Sequence, residues 1–90
     1  MTEQKQQYLQ KIVSRRTKFM RYKWSTTHCN FDFKTYVEVS FINSDADFRT
    51  TRYPTIDEAI HWQKIKLARD VKDWVNGDAD PDVLLKFLLA

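Results

Sequence analysis

The residues that could serve in catalysis are one thiol and two imidazoles. Cys29 is the only cysteine, and His28 and His61 are the only histidines among 90 residues. His28 and Cys29 are adjacent, so in an extended segment their side chains lie on opposite sides and do not pair as base and nucleophile. Nothing in the sequence places His61 near Cys29. Because no acid, base and nucleophile converge, we expect a protein that is not an enzyme.

Metal and phosphate chemistry have little support in the sequence. One cysteine and two histidines without paired spacing do not make a tetrahedral zinc site. Asp78, Asp80 and Asp82 alternate as calcium ligands do, but the glycine and the distal glutamate of a calcium-binding loop are missing. Gly77 is the single glycine, which excludes a glycine-rich phosphate loop. We therefore expect no cofactor, no metal and no small-molecule substrate.

Binding is the remaining kind of chemistry, and its main candidate is a group of three residues in a helical segment. Trp62 and Ile65 lie one turn apart, with Arg69 one turn beyond them. These residue types are typical anchors of protein interfaces. At about 100° of rotation per residue, Trp62 and Ile65 lie opposite the apolar stripe of their helix. Either another part of the chain covers them as ordinary core, or they bind a partner protein.

A second candidate surface lies at the C-terminus. The run from Asp80 to Asp82 supplies a helix N-cap, a proline at the first helical position and an acid in the first turn. The helix that follows is apolar on nearly all sides: Lys86 is the only polar residue after its first turn, and Phe87 and Leu88 come next. Such a helix is either sandwiched within its own domain or completed by a partner, which includes a second copy of the chain.

Positive charge is concentrated near the N-terminus. Residues 1–24 contain seven basic side chains and one acidic one, a net charge of +6, whereas residues 25–90 contain eight basic and eleven acidic ones, a net charge of −3. Lys11, Arg15, Lys18 and Arg21 lie on one side of the predicted N-terminal helix. Closely spaced cations bind phosphate backbones by releasing counterions, so nucleic acid is the alternative partner. The other interpretation is a solvated face that neutralises acidic side chains of the same fold.

The segment that must position Trp62 is a predicted helix from Thr55 to Gly77. Thr55 has Glu58 three residues on, which is the capping-box arrangement that starts a helix. Gly77 follows Asn76 and supplies the left-handed residue that commonly ends one. The helical period predicts a core face made of Ile56, Ala59, Ile60, Leu67, Val71 and Trp74.

Two strands are predicted before this helix, and a third is less clearly marked. The residues from Phe31 to Ile42 alternate between apolar and polar, which indicates a strand with one face on a core. The cluster Asn43–Asp47 is turn-forming, and Phe48–Tyr53 returns as the second strand of a hairpin. The weak alternation of Tyr22–Thr27 fits a short edge strand. The solvent-facing side would carry Tyr36 and, depending on the register, Arg49 or Arg52.

These elements predict a single α+β domain over residues 1–90. It has an N-terminal helix from about Glu3 to Met20, an antiparallel β-hairpin or three-stranded sheet, a long central helix packed on one face of the sheet, and a short C-terminal helix. In the core we expect five sheet residues to pack against five helix residues: Phe31, Phe33, Val37, Val39 and Phe41 against Ile56, Ile60, Leu67, Val71 and Trp74.

The order helix, strands, long helix resembles in outline the double-stranded RNA-binding domain. That family begins its last helix with a lysine-rich segment, whereas the corresponding segment here, Thr55–Ala59, is acidic. The resemblance covers the order of elements alone, so it implies a fold and no functional residues.

Compartment and function follow from what the chain contains. A single cysteine cannot form an internal disulfide, the charged N-terminus lacks the apolar core of a signal peptide, and no apolar run approaches the roughly 18 residues of a membrane span. We therefore expect a cytoplasmic protein. The expected function is that of a small protein-binding module that regulates or inhibits another protein. We also expect this module to form homodimers. Nucleic-acid binding is the alternative function.

Overall fold

The computed structural model describes residues 2–19, 26–32, 36–42, 45, 47–75 and 80–90, with side chains described for all of these except residues 2 and 26–32. Within them the chain forms three helices and three strands, and this arrangement confirms the predicted α+β class. Their bounds, in chain order, are α1 Thr2–Phe19, β1 Thr26–Asp32, β2 Tyr36–Ile42, β3 Phe48–Tyr53, α2 Ile56–Val75 and α3 Pro81–Leu89.

The strands form one antiparallel sheet in the order β1-β2-β3. The prediction of a continuous strand over Phe31–Ile42 was wrong, because Phe31 and Asp32 belong to β1 and β2 begins at Tyr36. Phe31 lies opposite Val37 in the ladder, so the two residues share a face of the sheet. The apolar alternation therefore continues through the reversal, and a period of two cannot reveal it. The predicted edge strand Tyr22–Thr27 shares its last two residues with β1, and residues 22–25 lie outside the described part.

Register on the solvent-facing side of the sheet is settled by a cross-strand ion pair. Arg52 lies opposite Glu38, and its Nε donates to the Glu38 carboxylate at 2.9 Å. Its guanidinium carbon also lies 4.9 Å from the centre of the Tyr36 ring. Arg52 is therefore the arginine that accompanies Tyr36. Arg49 lies opposite Phe41 and so on the helix-facing side.

Helices α1 and α2 pack side by side and cover the other face of the sheet. As predicted, alternate residues of β2 are buried there: Val37, Val39 and Phe41. Phe33 and the side chain of Phe31 lie outside the described part. Other elements contribute four more buried residues to this cluster: Leu9, Val13, Tyr53 and Ala59. Ile56 and Ile60 are partly buried and pack against it.

A second buried cluster lies between the helices and is the point where the predicted core differs most from the structure. Leu67 and Val71 were expected against the sheet, but they pack with Ile12, Val75 and the apolar residues of α3. Trp74 was also predicted as core, and this was wrong because 62% of it is exposed. Helical periodicity gives the direction of a side chain and not the neighbour that it meets. The neighbour that Trp74 meets is Phe19, with ring centres 5.3 Å apart and planes at 77°.

Both predicted helix starts are confirmed. The hydroxyl of Thr55 accepts a hydrogen bond from the backbone N–H of Glu58 at 3.2 Å, and the Asp80 carboxylate accepts one from the N–H of Asp82 at 3.0 Å. The predicted helix stop at Asn76-Gly77 lies outside the described residues, as do 43, 44 and 46 of the predicted turn. No described helix is both long enough and apolar enough to cross a membrane.

Candidate functional site on helix α2

The outward face of α2 carries the three residues that the sequence marks as interface anchors. Trp62 is 49% exposed and Ile65 is 37% exposed, and Arg69 is also exposed. The buried residues of α2 lie on the opposite side of the helix, where they meet the sheet, α1 and α3. The described residues of the terminal helices therefore leave these three side chains accessible. The Trp62 ring packs edge-to-face with the ring of the adjacent His61, with centres 5.2 Å apart.

On the inward side of α2 lies a buried polar network that the sequence did not predict. Arg16 of α1 donates from Nε to the Asp70 carboxylate at 2.8 Å and from Nη1 to the Gln63 side-chain oxygen at 2.7 Å. The Gln63 amide donates in turn to the hydroxyl of Tyr53 at 3.0 Å. The Arg16 guanidinium lies 4.7 Å from the centre of the Phe41 ring. The network thus joins α1, α2, β2 and β3.

A signal for this network was present in the sequence. Arg16 lies three and four residues after Val13 and Ile12, and Gln63 lies four residues from both Ala59 and Leu67. Each polar residue continues an apolar stripe at helical spacing. Arg16 and Gln63 are 7% and 1% exposed. Buried polar side chains need hydrogen-bond partners, so a stripe that continues through Arg or Gln predicts such a network.

Beside the network a cleft of about 460 Å³ opens between α2 and β3. Its charged lining consists of four basic side chains and one carboxylate, and the carboxylate already binds Arg16. Phe41 and the threonines of β3 complete the wall. The basic residues are Arg16, Arg49, Lys66 and Arg69. Positive charge therefore exceeds negative charge at this surface.

The electrostatics of the cleft are visible in two pKa shifts. Partial burial lowers the pKa of the Lys66 ammonium, and the positive charges of three arginines lower it further: Arg16, Arg49 and Arg69. Burial raises the pKa of the Asp70 carboxyl above its ordinary value, even though the Arg16 guanidinium acts in the opposite direction. For both Lys66 and Asp70, the environment in the fold makes the charged form less favourable than it is in water. The fold thus holds a lysine among like charges where its ammonium is less stable than in water.

The C-terminal helix is half covered. Leu88 packs with its apolar neighbours against the second buried cluster, whereas Val83 is exposed and Phe87 is 79% exposed. Val83 and Phe87 are four residues apart, so they share one face of α3. One side of α3 is therefore partly buried within the domain, and the other side is open to a partner. The exposed Trp74 adds a third large apolar side chain near the end of α2.

The basic residues of the nucleic-acid alternative have different environments. Lys11 donates to the backbone oxygen of Ala90 at 2.7 Å and so joins α1 to the end of the chain. Arg15 is partly buried, Lys18 is exposed, and Arg21 lies outside the described residues. One described member of this set is thus engaged within the fold.

Metal ligands do not cluster in the described part of the chain, where no group of three or more His, Cys, Asp or Glu side chains is placed to hold an ion. Comparisons with protein-family models, with curated protein sequences and with solved structures gave no significant match to this chain. Its function must therefore be argued from its own surface.

Proposed function

We propose that this chain is a small, non-enzymatic protein-binding module whose contact surface is formed by Trp62, Ile65 and Arg69. The observation that carries the proposal is the exposure of Trp62 on the outward face of α2, while the core is completed by other residues of the same helix. A half-exposed tryptophan beside an isoleucine and an arginine combines the residue types that dominate binding energy at interfaces. A regulator or inhibitor of another protein needs such a surface and no catalytic group.

The proposal is tested by selecting ligands without prior choice of partner. A displayed peptide library is selected on the wild-type protein, and the enriched peptides are measured by titration calorimetry against wild type and Trp62→Ala. Truncation of a central interface tryptophan costs about 2 kcal/mol or more, which corresponds to about 30-fold weaker binding. Trp74→Ala is the matched control, because it removes another exposed tryptophan from the same helix. Equal affinity for wild type and Trp62→Ala across the enriched peptides would overturn the proposal.

Self-association through α3 is a second candidate, favoured by the exposure of Phe87 and Val83 on one face of that helix. Light scattering over a concentration series should give a mass that rises above that of one chain, and Phe87→Ser should return it to one chain. Lys86→Ser changes a neighbouring exposed residue and should leave the association intact. A mass of one chain at every concentration would remove this candidate and leave the Trp62 surface unaffected.

A further inference from the structure

The cleft between α2 and β3 is lined by residues of β3, an edge strand of the described sheet. Arg49, Thr50 and Thr51 are consecutive residues of β3, and all three line it. Arg49 and Thr51 face the helices, because they lie opposite Phe41 and Val39, whereas Thr50 faces the other side and contacts the Ser40 hydroxyl at 3.0 Å. Consecutive strand residues point to opposite faces, so a cleft lined by all three runs along the backbone of β3 as well as its helix-facing side chains.

This edge carries no further strand within the described residues, where β3 is the last strand of the sheet. An edge strand presents a row of backbone N–H and C=O groups to any extended chain that approaches it. Addition of a peptide strand to such an edge is a recurring mode of recognition, in which the backbone gives affinity and alternate side chains give specificity. The backbone of β3 thus supplies one half of a binding site.

The charge of the cleft supplies the other half. Lys66 and Arg69 project from α2 beside Arg49 of β3, and the single carboxylate of the lining, Asp70, binds Arg16. Lys66 is also held where its own charge is disfavoured. Incoming carboxylates would relieve that repulsion, and complementary charge gives an interface its specificity and its rate of association.

We propose that an extended acidic segment of a partner protein binds as a fourth strand along β3, with alternate carboxylates directed to Lys66 and Arg69. This inference rests on the proposed function, because it names the chemistry of the partner that the α2 surface would bind. Trp62 lies four residues before Lys66 and seven before Arg69, so it borders the same face of the helix. Residues two positions apart in a strand share a face, so an apolar residue two positions along the segment from these carboxylates lies against Trp62.

The direct test uses a synthetic seven-residue peptide with capped ends, here called the Glu/Val peptide. Its third and fifth residues are Glu, its first and last are Val on the same face, and its second, fourth and sixth are Thr on the other face. Titration with isotope-labelled protein should shift the amide signals of Thr50 and Thr51, and affinity should fall as salt is raised. The first control peptide keeps the side chains but carries N-methyl groups on alternate residues, which removes strand hydrogen bonds. We expect it to bind at least about tenfold more weakly. Equal binding of the methylated peptide would overturn strand addition. A second control with Lys in place of Glu should not bind.

Matched variants locate the charges. Arg69→Glu and Lys66→Gln should each weaken binding of the Glu/Val peptide about tenfold or more, whereas Lys86→Glu, on the exposed side of α3, should change it less than about twofold if attraction is local. Equal losses in all three would show attraction by net charge alone and overturn the proposal. Lys66→Gln should also melt no lower than wild type, because it removes like-charge repulsion; a lower melting temperature would assign Lys66 to the fold.

The remaining arms separate this inference from the proposed function. Enriched library peptides that need Trp62, carry no acidic pattern and tolerate Arg69→Glu would overturn the acidic segment and leave the protein-binding module in place. Glu/Val peptide binding that is unchanged in Trp62→Ala but weakened in the N-methylated peptide would support strand addition and count against the Trp62 surface. A seven-nucleotide single strand that binds more tightly than the peptide and displaces it would assign the cleft to phosphates and overturn a protein segment as its occupant.

Discussion

Two groups of charged side chains lie next to each other around α2 and differ in how well their charges are matched. On the inward side, Arg16 and Asp70 pair at 2.8 Å, and Gln63 binds both Arg16 and Tyr53. On the outward side, Lys66 and Arg69 face a cleft in which basic residues outnumber acidic ones. The inward group has the partners that a buried network requires. Among the described residues the outward group has no such set of partners, and this is why we propose that it binds another molecule.

The inward network fixes geometry more than it adds stability. The pKa of Asp70 is raised by burial despite its ion pair, so desolvation outweighs the attraction of Arg16 for this carboxyl. Its two ends lie on α1 and β3, with α2 between them. A shift of either helix along the other would separate these partners and leave buried polar groups without hydrogen bonds. We therefore expect the network to hold α2 in the position that places Lys66 above the edge of β3.

The largest expected effect is on folding and comes from breaking the inward group. Arg16→Leu leaves the Asp70 carboxylate and the Gln63 oxygen without their donor, and loss of one partner of a buried pair costs about 3–5 kcal/mol. Denaturant unfolding measures this change in the free energy of unfolding. The double variant Arg16→Leu/Asp70→Leu should lose less than the single one, because no uncompensated charge remains. A loss below about 1 kcal/mol in Arg16→Leu would contradict the comparison.

The two exposed tryptophans give a smaller effect that separates structure from binding. Trp74→Ala removes the edge-to-face contact with Phe19, which is worth about 0.5–1.5 kcal/mol beyond buried area, so its unfolding free energy should fall measurably. Trp62→Ala should lose less, because the aromatic contact of Trp62 is with the adjacent His61 and joins no second element, whereas that of Trp74 joins α2 to α1. Thermal unfolding of both variants checks the order. If Trp62→Ala proved the more destabilised, Trp62 would belong to the fold.

Removal of the Lys66 charge on the outward side should raise the free energy of unfolding or leave it unchanged, whereas the preceding substitutions lower it. The folded state lowers the pKa of Lys66, so it binds fewer protons than the unfolded state between that pKa and the ordinary value of 10.5. Stability therefore rises with pH through this window. Lys66→Gln should be at least as stable as wild type at neutral pH, and its advantage should shrink as pH rises through the window. Denaturant unfolding at several alkaline pH values measures both.

The smallest effect is expected at acidic pH and concerns Asp70. Its folded-state pKa is raised from the ordinary value of 3.8, so the stability it contributes is fully present below the unfolded pKa and is lost as pH rises through the folded one. A titration of the Asp70 carboxyl carbon by NMR should give a midpoint above that of an unfolded aspartate. In Arg16→Leu the midpoint should rise further, because the guanidinium that opposes burial is gone. A midpoint below 3.8 would show that the ion pair outweighs burial.

The local sequence determined the elements and much of their orientation. Thr55 and Asp80 start their helices because each side chain satisfies a backbone N–H that a helix end leaves open. The period of two placed Val37, Val39 and Phe41 on a buried face, and the helical period placed Trp62 away from the core. These features depend on residues close together in the chain, so a local pattern carries them.

The tertiary structure decided which neighbour each face meets. The division into two strands between Asp32 and Tyr36 was hidden because Phe31 and Val37 lie opposite each other in the ladder. Trp74 has the direction of a core residue, but it is 62% exposed and its ring packs edge-to-face with Phe19. The cleft unites residues of β3 and α2 that are up to 21 positions apart, from Arg49 to Asp70. Such pairings depend on strand register and helix docking, which long-range packing selects and no local period encodes.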